Sequence, residues 1–214
     1  EDRPIAAEGM NALTLESGMA LAAHRGGGPF KGSIELVLDG IVDKICWELS
    51  GADYAAGLVA WINDAMILSA MAQLQGASFV VAKERFLRVD DAAYSAGLRK
   101  LYDAINPLPG AAAAIACVGE VRRGPDEGLR GILHSKFAVL WREGGKPGRC
   151  LFGSYNWTVA ARRNREALLV VDSAQLAAEL LAEHDRVASL AEPLNWKSEW
   201  PDPGGRRGAR DVGF

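Results

Sequence analysis

A chain of 214 residues is long enough for one domain with a substantial core, or one domain with short extensions. With 49% apolar and 24% charged residues it has the balance of a soluble globular protein, and no apolar run approaches the roughly 18 residues that a membrane span needs. The net charge of −3 argues against extensive nonspecific binding to duplex nucleic acid, where several phosphates are normally neutralised.

Residues 1–32, ending in Gly26-Gly27-Gly28-Pro29, read as an N-terminal extension. A domain follows over 33–200, and 201–214, with Gly204-Gly205-Arg206-Arg207-Gly208, reads as a loosely ordered tail. Within the domain, strands are expected over 33–38, 54–62, 78–81, 112–118, 132–141, 150–153 and 167–171. Helices are expected over 41–50, 65–75 (stopped by Gly76), 91–105 (stopped by Asn106-Pro107) and 173–190. This alternation predicts an α/β fold with a mixed or largely parallel central sheet flanked by helices.

Cys46, Cys117 and Cys150 form no CxxC pair, which argues against a zinc ribbon or a disulfide framework and for buried thiols in a reducing compartment. No signal peptide is visible, so the expected location is cytoplasmic. The chain starts at Glu1 rather than Met, so an upstream segment is expected to have been removed.

Positive charge is concentrated in one place. Residues 1–117 carry 9 basic and 14 acidic side chains, whereas 118–166 carry 10 basic and 5 acidic. The same segment holds His134-Ser135-Lys136, then Gly153-Ser154-Tyr155-Asn156-Trp157-Thr158, then Asn164-Arg165-Glu166. In a strand, His134 and Lys136 would project from one face. Asn156 is expected near a helix start, where free N–H groups favour anions. Asn164 and Glu166 are placed at the start of a further strand. A histidine, an ammonium, neutral donors and a carboxylate able to orient the histidine suit phosphoryl transfer through a phosphohistidine. Overlap with the basic stretch points to an anionic substrate. Alone, His-x-Lys carries little weight, since most strand histidines are structural.

The order and spacing of the three motifs resemble those of the phospholipase D superfamily, with its HxKxxxxD, GSxN and downstream N-x-E. The chain is most similar to the single-motif members, the bacterial endonucleases and mitochondrial cardiolipin hydrolase-like proteins. The resemblance implies that His134 attacks phosphorus, that Lys136, Ser154 and Asn156 bind the phosphoryl oxygens, and that Glu166 holds the His134 ring. It implies no cofactor and no metal. The signature's Asp falls at Trp141. On a regular strand Trp141 would share a face with Phe137 and Val139, away from His134, Lys136, Ala138 and Leu140. The remaining histidines, His24 and His184, begin no second HxK, so half a site per chain implies a homodimer.

The first expectation is a metal-independent endonuclease acting on DNA or RNA. Tyr155 and Trp157 could stack on nucleotides, although each is more readily a core residue. A phospholipid phosphodiesterase is the alternative, weakened because no basic amphipathic helix is seen. A third reading is a catalytically inactive nucleic-acid-binding module, prompted by Trp141 and the acidic charge.

Overall fold

The structure, a computed structural model, describes residues 32–82, 96–119, 133–142 and 145–194. Residues 1–31 of the proposed N-terminal extension and the whole C-terminal tail lie outside these residues, as do Arg122, Arg123 and Arg130 of the basic stretch.

Eight strands form one sheet: β1 (Ser33–Val37), β2 (Tyr54–Val59), β3 (Gly76–Ala82), β4 (Ile115–Val118), β5 (Lys136–Trp141), β6 (Pro147–Gly153), β7 (Leu168–Asp172) and β8 (Glu192–Pro193). Their spatial order is β1-β7-β6-β5-β2-β3-β4-β8. Parallel pairing is confined to β2–β3–β4, and the other neighbours run antiparallel. The sheet is therefore mixed, and the alternative of a largely parallel one is set aside. β2 and β3 read as continuous apolar runs because both of their faces are covered.

Three helices lie on one face: α1 (Ile41–Ser50), α2 (Ala65–Met71) and α3 (Ala96–Asp103). α1 buries Ile41, Val42, Ile45 and Leu49, a helical stripe that joins Ile67, Leu68 and Met71 of α2 and Ala138, Leu140 and Leu151 of the sheet. On the other face lies α4 (Ala174–Ala188), capped by the Ser173 hydroxyl, which accepts from Leu176 N at 3.3 Å. It covers Val139, Cys150 and Val171 through Ala177, and Phe137 and Leu58 through Val187. The three cysteines are free thiols; Cys117 and Cys150 are buried and Cys46 is half-buried.

Several expected boundaries shift. The strand expected over 132–141 begins only at Lys136, so His134 stands just ahead of the ladder, where Ser135 O accepts Ala60 N at 2.8 Å. The strand expected to run to Ile62 ends at Val59. No α-helix follows the Gly153–Asn156 segment. Instead Trp157 bridges to Ile62 and a 3-10 turn covers Ala160–Arg163, so no helix N-terminus stands at Asn156. β7 starts at Leu168, two residues beyond Glu166.

At the end of the sheet away from His134, one carboxylate organises the surface. Glu48 of α1 is fully buried. It accepts from Arg149 Nη2 at 2.6 Å and Nε at 2.9 Å, from Arg142, and lies 3.2 Å from Lys44 Nζ. Burial alone would raise its pKa, but hydrogen bonds from Arg149 and Lys44 and the charges of Arg149 and Arg142 hold it below the usual range. Such a carboxyl stabilises the fold above its unfolded pKa of about 4.3, and that contribution is lost as pH falls through the lower folded value. Glu48→Gln should therefore destabilise the protein by roughly 2–3 kcal/mol at pH 7. This is less than for a fully buried pair, because Arg142 stays partly in water. Urea unfolding should show the gap between wild type and variant closing on acidification through that range.

Candidate active site

The site is built where four chain segments meet at one end of the sheet. In the β2–β5 ladder Val59 stands opposite Lys136, in β5–β6 Phe137 stands opposite Phe152, and in β6–β7 Gly153 stands opposite Leu168. The residues just beyond these pairs are His134, Ser154 and Glu166, with Trp61 leaving β2. Motifs separated in sequence are thus brought side by side by register alone. Gly153 is required by this crowding: a Cβ there would lie 2.1 Å from Ala167 O, so only glycine lets β6 approach the start of β7 this closely.

His134 is exposed, and Lys136 is buried with 8% of its surface accessible. The Lys136 ammonium turns back to donate to the His134 carbonyl at 2.7 Å. Burial lowers the His134 pKa and the Lys136 charge lowers it further, which favours the neutral imidazole near pH 7. Burial also lowers the Lys136 pKa, and the Glu166 carboxylate partly offsets that. Glu166 therefore lies within electrostatic reach of Lys136. Its oxygens accept from Asn164 Nδ2 at 3.1 Å and from the Ser154 hydroxyl, which in turn accepts Ala167 N at 3.1 Å. Within one chain, Glu166 thus binds Ser154 and Asn164, and no hydrogen bond joins it to the His134 ring. Asn156 lies between Ser154 and Trp157, with its Oδ1 buried and without a hydrogen-bond partner.

Tyr155 and Trp157 are core residues, with Trp157 packed on Phe79 at 5.4 Å between ring centroids. Burial pushes the Tyr155 hydroxyl up to about 12. Neither ring is available as a stacking platform. His184 is also accounted for. It is buried under α4, within 3.1 Å of the Ser78 hydroxyl and 3.0 Å of Asp185. His24 lies outside the described residues. No group of three or more His, Cys, Asp or Glu residues among those described is placed to hold a metal ion. Among them, too, no helix is long and apolar enough to cross a membrane.

A family model described as "Cardiolipin synthase, PLD-like domain" matches residues 104–188, the segment that carries all three motifs. Two solved structures share the fold. One is a phospholipase D family member, Nuc from Salmonella typhimurium (TM-score 0.51, 14% identity, covering 76% of this chain and 97% of that one). The other is NucT from Helicobacter pylori (TM-score 0.54, 13% identity, 76% and 99%). Over residues 104–188 the chain thus matches a PLD-like domain, and it shares the fold of these phospholipase D-like structures. It is also 24% identical over 198 residues to a protein of Acanthamoeba polyphaga mimivirus named "Uncharacterized protein L381", across 78% of this chain and 69% of the relative.

In this phospholipase D-like fold the motif's Asp position, Trp141, is remote from His134 and Lys136. It ends β5, five residues and so roughly 17 Å of strand from Lys136. It packs with Val139, Cys150 and Val171 on the α4 face, while Ala138 and Leu140 enter the opposite cluster. The pairing with β6 shifts at this point, from Leu140 opposite Arg149 to Trp141 opposite Pro147.

The sequence reading missed the segment after β2. Trp61 O accepts Trp157 N at 3.1 Å, and Trp157 O accepts Asn63 N at 2.9 Å and Asp64 N at 3.1 Å. Asn63 Oδ1 accepts Val159 N at 3.0 Å. Asp64, fully buried, caps α2 through Met66 N and binds Arg162 through two bonds of 2.6 and 2.7 Å. The available signal was polar residues at the carboxyl end of a central strand, the usual place for a site in an α/β sheet. Extending that strand to Ile62 hid them.

Since Trp141 is a half-buried packing residue far from His134, Trp141→Asp should leave phosphodiesterase turnover within about twofold. It should cost roughly 1–3 kcal/mol of stability through lost ring packing and a poorly solvated carboxylate. Melting temperature and turnover measured on the same preparation check both halves of this expectation.

Proposed function

We propose that this chain is a metal-independent phosphodiester hydrolase, an endonuclease acting on DNA or RNA, in which His134 forms a phosphohistidine and two chains complete one site. The observation that supports this reading best is the pairing of a neutral, solvent-facing His134 with the buried ammonium of Lys136, beside Ser154, Asn156 and Glu166. His134 attacks phosphorus, an N–P bond forms and the P–O bond to the leaving group breaks. The Lys136 ammonium and the Asn156 amide N–H groups stabilise charge on the non-bridging oxygens, and the Ser154 hydroxyl adds a further donor. A general acid protonates the leaving oxygen, and then acts as base toward the water that hydrolyses the N–P bond.

That acid has to be a second histidine-like group. His184, the other described histidine, is enclosed under α4. His134 of the partner subunit meets the need in a two-fold homodimer. Glu166, bonded to Ser154 within its own chain, stands beside Lys136 where it can steady the assembled site.

The nucleic-acid reading draws on two exposed arginines, Arg163 just ahead of the N-x-E motif and Arg165 within it, which add positive charge beside the phosphate site. A phospholipid substrate is the second reading, and it draws on the description of the matching family model.

Plasmid DNA, single-stranded DNA, RNA and cardiolipin, each assayed with excess EDTA, separate these readings. Hydrolysis of nucleic acid should survive the chelator and be lost in His134→Ala, while Lys136→Ala and Asn156→Ala should each fall by roughly 10²–10³-fold. Complete inhibition by EDTA with rescue by Mg²⁺, or an active His134→Ala, would overturn the mechanism; cleavage of cardiolipin alone would shift the substrate. The acidic limb of the pH–rate profile should lie below pH 6.5, because attack needs neutral His134 and its pKa is depressed. Light scattering should show a dimer.

A further inference from the structure

We propose that Trp61 is a positioning residue of this site: its indole holds the His134 ring and the Lys136 ammonium by packing, without occupying the ring nitrogen that attacks. This rests on the reading of His134 as the nucleophile. The indole and imidazole meet edge to face, with centroids 5.3 Å apart and planes at 73°. Lys136 Nζ lies over the same indole, 5.6 Å from its centroid. Both are favourable geometries for a ring with a negative face and positive edge.

An attacking imidazole must be held at one angle, with the lone pair of its attacking nitrogen left open. No described residue makes a hydrogen bond to the His134 ring within this chain. Trp61 supplies a constraint on the ring by packing. The indole is half-buried against Leu58, Val80 and Phe137. Its backbone is pinned on both sides, by Ala60 N to Ser135 O, by Trp157 N to Trp61 O, and by the Tyr102 hydroxyl to Ile62 O. The Asp64–Arg162 pair locks the next turn. A rigid element thus carries a side chain that touches the nucleophile and the phosphate-binding cation together.

Among the described residues, the groups that act on His134 and its neighbours come from three elements. Lys136 acts on it from β5, Glu166 acts on Lys136 from ahead of β7, and uncharged Trp61 covers it from beyond β2. Removing the indole hydrates the imidazole while the charges stay in place, so the His134 pKa should rise toward the ordinary histidine value.

The test is Trp61→Leu and Trp61→Phe in the full chain, with His134 titrated by NMR at its C2 proton and bis(p-nitrophenyl) phosphate as substrate. In Trp61→Leu the His134 titration should move to higher pH. Its kcat should fall roughly 10- to 100-fold, as expected for a misplaced reacting group, with KM changed less than about threefold. Trp61→Phe, which keeps an aromatic face, should restore most of kcat. A Trp61→Leu variant with unchanged titration and unchanged kcat would overturn the proposal, as would a Trp61→Phe variant as impaired as Trp61→Leu. If Trp61→Leu fails to fold, Trp61→Met takes its place with the same expectations. The titration reads His134 directly, so it decides the role of Trp61 even if His134→Ala proves active and the phosphohistidine reading fails.

Discussion

The register of four neighbouring strands is the constraint on which this site depends. Val59 opposite Lys136, and Gly153 opposite Leu168, set the ends of β2, β5, β6 and β7 level with one another. A slip of one residue in any of these ladders would turn the corresponding motif residue to the other face. The close approach at Gly153 makes such a slip costly, since the strands fit only where no side chain intervenes. Residues 32 positions apart, such as His134 and Glu166, are thereby held around one point without any direct bond between them.

Two clamps hold the register at opposite ends. Near the site, Asp64 and Arg162 tie the turn after β2 to the 3-10 turn before Glu166, and the backbone of Trp157 is bonded to both Trp61 and Asn63. At the far end, Glu48 gathers Arg142 and Arg149, which flank the β5–β6 turn, and Arg149 reaches Asp172 of β7 at 2.6 Å. Charged groups on a domain of this size could all be surface decoration. Here a buried carboxylate at each end fixes which loops adjoin. The division also explains how Trp141 can stand at a motif position without touching His134 or Lys136, because it belongs to the far end and packs beneath α4.

Local pattern carried much of this into the sequence. Apolar runs located β2 and β3, and helices were expected over 41–50 and 173–190, where α1 and α4 form, because each depends on residues near one another in the chain. The pleat along β5 was readable for the same reason. What depends on distant partners was not. Neither the antiparallel pairing of β5 with β2 nor the role of Trp61 leaves a trace in local periodicity. The short extended arms at His134 and Glu166 read as strand because strand and extended loop share backbone angles, and only the missing ladder partners distinguish them. Asn156 looked like a helix start, but the segment after it pairs with Ile62 instead.

The central claim is a double displacement through His134, and the stereochemical course at phosphorus tests it most directly. A diester made chiral at phosphorus by sulfur and oxygen-isotope substitution, hydrolysed in isotopically labelled water, reports the number of in-line displacements. Attack by His134 followed by attack of water inverts phosphorus twice, so the account predicts net retention of configuration. Net inversion would mean that water attacks the diester directly, and it would contradict the assignment of His134 as the nucleophile.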